Sequence, residues 1–179
     1  MCDTCDEEEM GNSAYRPQEH LNKGNECPML PPPTFDSRIQ VADLCLGWFW
    51  GPDAEFSQIL GVIEVTVGYA GGKTDYPTYR SIKDHTEAVR VVFDSSIIDY
   101  REILDSFYSQ HSPTSPSYSS QYRSAILYHN EEQKRMAIEY VSALSLKRGV
   151  TMYTDIQAAT PFYRAEEYHQ KYFMKNRQR

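Results

Sequence analysis

Cysteine is absent from most of this sequence: Cys2, Cys5, Cys27 and Cys45 all lie near its beginning. Small secreted domains that depend on disulfides distribute their cysteines along the whole chain, so this pattern excludes that class. Long apolar runs are also missing, and none approaches the ~20 residues that a membrane-spanning helix needs. The first residues are acidic, unlike the basic and apolar start of a secretion signal. We therefore expect a soluble, cytoplasmic protein.

Basic residues are scarce in the first part of the chain. Residues 1–36 carry eight acidic and two basic side chains, which accounts for −6 of the total net charge of −7. This polar segment ends in three consecutive prolines at 31–33, which favour a stiff, extended linker. We predict that 1–36 is an acidic disordered tail and that 37–179 is a single domain. The near-neutral domain offers no basic patch for nucleic acid.

Strand and helix patterns alternate after residue 37. Apolar or β-branched runs predict strands at 39–46, 62–69, 87–94, 123–129 and 151–156. Helical spacing and capping residues predict helices at 52–60, 100–111, 131–148 and 165–175. The alternation predicts an α+β fold, a two-layer α/β sandwich with a ferredoxin-like split β-α-β core.

Six sequence blocks carry a resemblance to a known family. They are GWFWG (47–51), VGYAGG (67–72), PTY (77–79), HTE (85–87), QYRSAI (121–126) and AEEYHQKY (165–172). In this order and at this spacing they resemble peptide methionine sulfoxide reductase A, the family that reduces the S epimer of methionine sulfoxide. The resemblance covers residues 39–175.

The resemblance implies two reactive positions. Position 48 takes the place of the family's nucleophile, which attacks the sulfoxide sulfur from a helix N-terminus, where the pKa of a thiol or selenol is lowered. Glu87 matches the acid that protonates the departing oxygen. Aromatic neighbours are expected to raise the pKa of Glu87, so that it carries a proton near neutral pH.

The resemblance also implies the substrate-binding residues. Tyr79 and Tyr122 match the tyrosines whose hydroxyls hold the sulfoxide oxygen. Phe49 and Trp50 match the aromatic socket for the S-methyl group, where ring faces suit a polarisable sulfur. For His169, in the last block, we favour a structural role over a catalytic one.

Trp48 is the main departure from the family, because that position normally holds cysteine or selenocysteine. An indole cannot cycle between reduced and oxidised states as a thiol or selenol does. Three interpretations remain open: a UGA selenocysteine codon misread as tryptophan, a genuine tryptophan in an inactive protein, and an error or engineered change. We favour the misread selenocysteine, because it explains why the rest of the site is intact.

A second departure concerns the thiol that would resolve the oxidised nucleophile, since no cysteine follows Cys45. Cys45 itself, three residues before position 48, is one candidate, although a buried strand cysteine is the simpler interpretation. Cys2 and Cys5 in the tail are another, and Cys27 is a weaker one. Zinc binding by these tail cysteines with His20 has poor spacing, so we expect no metal.

A third departure lies in the loop before the QYRSAI block. Some family members carry an aspartate there, whereas residues 115–120 of this chain contain no acid. Tyr118 and Ser120 are the candidates to replace it in the network that binds the sulfoxide oxygen.

The sequence therefore predicts a peptide-methionine (S)-S-oxide reductase that repairs free or protein-bound methionine sulfoxide. No bound cofactor is expected, and an external thiol reductant such as thioredoxin would restore the enzyme. We expect a monomer. The alternative is a catalytically inactive module on the same fold that binds methionine sulfoxide peptides, which applies if Trp48 is genuine.

Overall fold

The computed structural model describes residues 29–30 and 37–176. Its strands are β1 (Met29–Leu30), β2 (Ile39–Leu46), β3 (Val62–Ala70), β4 (Thr86–Asp94), β5 (Ser124–Tyr128), β6 (Thr154–Ala158) and β7 (Phe162–Arg164). Its α-helices are α1 (Trp50–Phe56), α2 (Tyr100–Gln110), α3 (Glu131–Arg148) and α4 (Tyr172–Asn176). Short 3-10 turns occur at Ser120–Tyr122 and Glu167–His169. Within these residues no helix is both long and apolar enough to cross a membrane.

The strands form one sheet in the order β1-β7-β3-β4-β2-β5-β6. Strands β2 and β3 are joined through α1, and both pair antiparallel with β4, which lies between them. In the same way β4 and β5 are joined through α2 and flank β2. Two interleaved split β-α-β units are the ferredoxin-like arrangement, so the predicted α+β fold is confirmed.

Side chains alternate between the two faces of the sheet and separate into two apolar clusters. Leu44 and Leu46 of β2 belong to the larger cluster, which also contains Phe56 of α1, Phe107 of α2 and Ala137 of α3. The helices therefore cover one face, as in a two-layer sandwich. Cys45 points to the other face, where the smaller cluster is formed by strand residues alone: Cys45, Ala70, Ala88, Ala125, Leu127 and Phe162.

Two residues of the predicted disordered tail belong to the sheet. Met29 and Leu30 pair with β7, and Leu30 packs against the smaller cluster. The carbonyl of Leu30 also accepts a hydrogen bond from Arg90, at 3.2 Å. The tail prediction therefore needs correction at 29–30, because an apolar side chain and an arginine donor give this short segment partners. The rest of 1–36 lies outside the described residues.

The single helix predicted at 165–175 is wrong. The segment instead contains the 3-10 turn Glu167–His169. Lys171 then adopts a left-handed backbone conformation at φ 53°, and α4 begins only at Tyr172. Gln170 explains the break, because its side-chain amide bonds to both the N–H and the carbonyl of Val67 on β3. The backbone N–H of Lys171, which a continuous helix would have bonded to a carbonyl four residues earlier, donates instead to the carboxylate of Asp53.

Lys171 is held by the buried carboxylate of Asp53, in the first turn of α1. Asp53 accepts from the backbone N–H of Lys171 at 2.7 Å and from its Nζ at 2.6 Å. The same Nζ donates to the hydroxyl of Ser57 and to the carbonyl of Val65. Asp53 is 1% exposed, whereas the side chain of Lys171 is 34% exposed. Removing Asp53 would therefore leave the partly exposed ammonium of Lys171 without its buried counter-charge.

We predict that Asp53→Ala lowers the free energy of unfolding by about 3 kcal/mol, because two hydrogen bonds from Lys171 to a buried carboxylate are lost. The measurement is urea denaturation at neutral pH. Asp99→Ala is the matched control, since Asp99 also begins a helix but caps it from an exposed position. Its loss should cost only about 1 kcal/mol. Equal effects of the two substitutions would contradict a special role for Asp53.

Candidate active site

The fold brings the ends of three neighbouring strands together at one edge of the sheet. Strand β2 ends at Leu46, which pairs with Ser124 at the start of β5. Continuing the register of β2 with β4, in which Leu44 faces Val89, places Leu46 opposite Glu87. The chain segment after β2, the start of β4 and the turn before β5 therefore meet, although they are far apart in the sequence.

A cavity of about 520 Å³ opens at this edge. It is lined by Gly47, Trp48, Phe49, Trp50, Tyr79, Glu87, Tyr118 and Tyr122. The cavity thus collects the six positions to which the sequence assigned the reaction and the binding of substrate. Tyr118, one of the two residues considered as replacements for the missing aspartate, also lines it, whereas Ser120 does not.

Trp48 lies at the rim of this cavity, between β2 and α1. Its side chain is 54% exposed, and it makes edge contacts with the rings of Trp50 and Phe173, at centroid distances of 6.3 and 5.9 Å. Gly47 before it has φ 93°, a conformation that favours glycine. Trp48 is therefore outside the core, and the sharp turn that presents position 48 is made by the residue before it.

Trp50 is fixed from two sides. Its ring stacks on Tyr172 at 4.4 Å with an interplanar angle of 15°, and its Nε1 donates to Nδ1 of His169 at 3.1 Å. Burial lowers the pKa of His169, which favours its neutral ring, and the indole N–H donor makes Nδ1 the nitrogen without a proton. The structural contacts of His169 agree with the structural role expected for it.

Phe49 is the buried partner of Trp50. It is 2% exposed and contacts the rings of Tyr69 and His169 at centroid distances of 6.1 and 5.1 Å. Together Phe49 and Trp50 form a rigid apolar wall that suits a methyl or thioether group.

Glu87 is the acid of the cavity. Although it is charged in free solution near neutral pH, it is only 3% exposed. Its Oε1 accepts from Nε2 of Gln121 at 2.9 Å, and the backbone N–H of Phe49 also donates to it. Burial raises the pKa of Glu87 above its ordinary value, and these two hydrogen bonds oppose the rise.

Gln121 links this acid to Tyr122, and sequence reasoning missed that role. Its Nε2 donates to the hydroxyl oxygen of Tyr122 at 2.9 Å as well as to Glu87. Because Tyr122 accepts this bond, its own hydroxyl hydrogen is free to point at a ligand. Burial also raises the pKa of Tyr122, which keeps that hydrogen in place. The only sequence signal for this role of Gln121 was its presence in the QYRSAI block.

Glu166 fixes the backbone of Tyr79, a role that the sequence analysis did not predict. Its Oε1 accepts from the backbone N–H of Tyr79 at 3.0 Å, and its Oε2 accepts from the hydroxyl of Tyr69 at 2.7 Å. Burial alone would raise the pKa of Glu166, but these bonds and the nearby His169 outweigh it, so the pKa lies below its ordinary value. Glu166 is therefore a charged anchor that sets where the loop carrying Tyr79 lies.

Cys45 lies behind the site. It is fully buried on the face of the sheet that the helices do not cover, and burial raises the pKa of its thiol to about 12. Cys2, Cys5 and Cys27 lie outside the described residues, as does His20. In the part of the chain that the structure describes, no three side chains form a cluster suited to a metal ion.

Comparison with known proteins identifies the relatives of this arrangement. The family model for peptide methionine sulfoxide reductase matches residues 40–179. Peptide methionine sulfoxide reductase MsrA of Sulfolobus acidocaldarius is 40% identical over 148 residues, which cover 78% of this chain and 84% of that protein.

Solved structures agree with the sequence comparison. Mxr1 from Saccharomyces cerevisiae in its reduced form superposes with a TM-score of 0.74 at 29% identity, over 82% of this chain and 91% of that chain. Mxr1 has also been solved in complex with Trx2, and that structure gives a TM-score of 0.59 at 25% identity, over 78% of this chain and 88% of that chain.

We predict that carbon-13 NMR titration of the Glu87 carboxyl gives a pKa above that of an exposed glutamate. Gln121→Met should raise this pKa further, because the hydrogen bond that stabilises the charged form is lost. Gln58→Met is the control, since the side chain of Gln58 bonds to Ala54 on the exposed side of α1. A pKa of Glu87 that does not move in Gln121→Met would contradict the assigned bond.

Proposed function

The chain belongs to the peptide methionine sulfoxide reductase family, so its cavity is built for the reduction of methionine sulfoxide, and we propose how its residues divide that reaction. The observation that carries the proposal is the set of residues that lines the cavity containing position 48. There a buried carboxyl, two tyrosine hydroxyls and an aromatic wall surround position 48. A sulfoxide needs these groups: an acid and hydroxyls for its oxygen, and an apolar surface for its methyl group.

The reaction begins with the substrate's methyl group against Phe49 and Trp50 and its oxygen between Tyr79 and Tyr122. A selenolate or thiolate at position 48 attacks the sulfur, and the sulfur–oxygen bond breaks while Glu87 donates its proton to the oxygen, which departs as hydroxide. Hydroxide then attacks the selenium or sulfur of residue 48, the bond to the substrate's sulfur breaks, and methionine leaves with that electron pair. The residue at 48 is left as a selenenic or sulfenic acid. Because the S epimer is the family's substrate, we propose methionine-S-sulfoxide, free or in a protein.

Two thiols complete the cycle. The first thiol attacks the selenium or sulfur of the oxidised residue and displaces its hydroxide, which is protonated and leaves as water. A mixed selenenyl sulfide or disulfide then joins this thiol to residue 48. The second breaks that bond and releases a disulfide. We propose an external thiol reductant of the thioredoxin type, supported by the complex of the related Mxr1 with Trx2. We do not assign the first thiol to Cys45, because its burial and raised pKa keep it protonated and inaccessible.

For position 48 itself we propose selenocysteine in the working enzyme. The support is that Trp48 is more than half exposed and contacts the rings of Trp50 and Phe173 at the rim. It shares its cavity with an acid, two tyrosines and an aromatic wall. A smaller residue at 48 would remove no core contact and would widen the entrance to Glu87.

An inactive binding module is the second candidate, and the same observation bears on it. With tryptophan at 48 the cavity still offers Glu87, Tyr79 and Tyr122 to a sulfoxide oxygen but has no atom that can attack sulfur. Such a protein would bind methionine sulfoxide peptides without reducing them. The two candidates share a binding pocket and differ only in turnover.

We predict that Trp48→Cys gains reductase activity with dithiothreitol and methionine-S-sulfoxide, whereas the chain with Trp48 has none. The expected reason is that the pocket is complete except for its nucleophile. Trp48→Ser is the control, because it opens the entrance equally and supplies no redox-active atom. Activity in neither Trp48→Cys nor the parent chain would indicate a degenerate site, and turnover by the parent chain would overturn the mechanism.

The selenocysteine assignment has a separate and simpler test. Sequencing of the messenger RNA reads codon 48 directly. UGA is expected, and UGG would eliminate selenocysteine and leave either a genuine tryptophan in a binding module or an engineered change.

We predict that Glu87→Gln, introduced with Trp48→Cys, lowers kcat/KM by about 10²–10⁴-fold, because the general acid is lost. In Trp48→Cys alone, kcat/KM should fall as the pH rises through the pKa of Glu87, since only the protonated carboxyl can donate. That pKa is raised by burial, so the fall should come at a higher pH than for an exposed glutamate. The fall should disappear in the Glu87→Gln variant, and a persisting fall would assign it to another group.

A further inference from the structure

Aromatic rings make up most of the lining of the cavity that contains position 48. Six of the eight residues that line it are aromatic. They are Trp48, Phe49, Trp50, Tyr79, Tyr118 and Tyr122. The reduction of a sulfoxide uses an apolar wall for the methyl group and hydroxyls for the oxygen, but it has no use for a ring at position 48. The ring of Trp48 therefore calls for a ligand of a different kind.

The rings are not parallel, so they border the cavity from several sides. The planes of Trp48 and Trp50 meet at 74°, and those of Phe49 and Trp50 at 42°. Tyr172 is stacked on one face of Trp50, which leaves the opposite face for the cavity. The face of an aromatic ring carries the negative part of its quadrupole, so rings set at steep angles around one space attract a cation placed between them.

Glu87 adds a negative charge to this aromatic space when its carboxyl is ionised. It is 3% exposed, and its burial raises its pKa, whereas hydrogen bonds from Gln121 and from the backbone N–H of Phe49 lower it. Among the described residues no basic side chain contributes to this pKa. The ionised carboxylate therefore has no cationic partner within the protein, and a cationic ligand would supply one.

The hydrogen-bonding groups of the cavity decide which kind of cation fits. A primary ammonium needs acceptors for three N–H groups, and the hydroxyl oxygen of Tyr122 already accepts from Gln121. A quaternary ammonium or a tertiary sulfonium has no N–H, so it leaves water without losing hydrogen bonds of its own. Its charge is covered by methyl groups, which pack against ring faces while the charge attracts them. The lining therefore favours a methylated cation.

We propose that the chain with tryptophan at position 48 binds a methylated onium cation in this cavity, between the rings of Trp48 and Trp50 and the carboxylate of Glu87. The ligand is a quaternary ammonium or a tertiary sulfonium group. This binding goes beyond the proposed reductase function, because it needs no nucleophile. Selenocysteine at position 48 would remove one ring and weaken the binding, while the other rings and Glu87 would remain.

The test compares three small alcohols as ligands of the full chain at mildly alkaline pH. Choline carries the trimethylated cation, 3,3-dimethylbutanol has the same shape without the charge, and ethanolamine has the charge without the methyl groups. Tryptophan fluorescence follows each titration, because the two tryptophans of the chain, Trp48 and Trp50, both line the cavity. We expect choline to bind about 10-fold more tightly than either analogue. Equal binding of choline and 3,3-dimethylbutanol would overturn the proposal.

Three variants locate the binding. Trp48→Leu removes one ring but keeps an apolar side chain, and it should weaken choline binding by about 5-fold, with Trp50 still reporting the titration. Glu87→Gln removes the counter-charge and should weaken choline by about 10-fold while leaving 3,3-dimethylbutanol unchanged. Tyr153→Leu is the matched control, since it removes an exposed ring that does not line this cavity. An unchanged Kd for choline in Trp48→Leu or in Glu87→Gln would contradict the proposed site.

A second pair of ligands separates the two kinds of onium group. S-methylmethionine is a sulfonium, and methionine is its neutral counterpart. A gain in affinity from the charge with choline alone assigns the site to quaternary ammonium groups, and a gain with S-methylmethionine alone assigns it to sulfonium groups. A gain with neither would overturn the proposal.

The reductase function is tested separately, by turnover of methionine-S-sulfoxide in Trp48→Cys. Turnover in that variant without onium binding by the parent chain would leave the reductase function standing and eliminate this binding site. Onium binding by the parent chain without turnover in Trp48→Cys would support the binding site and eliminate the reductase function.

Discussion

The arrangement of the site depends on one ion pair, between the buried carboxylate of Asp53 at the start of α1 and Lys171 near the end of the domain. Asp53 accepts both the backbone N–H and the Nζ of Lys171. The residues on either side of Lys171 are thereby brought against Trp50, with His169 at its indole N–H and Tyr172 on its ring face. A charge pair outside the cavity thus fixes the aromatic wall inside it.

Glu87, Tyr122 and Tyr79 are also positioned from outside the cavity, because the side chains that hold them do not line it. Gln121 donates to Glu87 and Tyr122 together, and Glu166 receives the backbone N–H of Tyr79. The bond from Gln121 occupies the hydroxyl oxygen of Tyr122 and leaves its hydrogen for a ligand, whereas Glu166 fixes the backbone position of Tyr79. The site is preorganised by this division of donors and acceptors, so little has to move when a sulfoxide enters.

Much of the fold could be predicted from sequence because strand and helix periodicity is local, as the correct bounds of β2 and α3 illustrate. The six site positions came from the family resemblance, and periodicity alone would not have separated Glu87 from an ordinary strand residue. Gln121 and Glu166 could not be assigned roles in advance, since their partners lie far away in the sequence. The helix predicted at 165–175 failed for the same reason: Gln170 and Lys171 bond to β3 and α1, and no local pattern records those contacts.

The burial of Cys45 affects how long an oxidised residue at position 48 would persist. It is the one cysteine among the described residues, and it lies on the opposite face of the sheet from the helices and the larger core cluster. Among the described residues, an oxidised selenocysteine at position 48 would therefore have no accessible thiol. Unless Cys2, Cys5 or Cys27 supplies one, the lifetime of the oxidised residue would be set by how often an external reductant arrives. The fraction of oxidised protein would then follow the supply of reduced thiols around it.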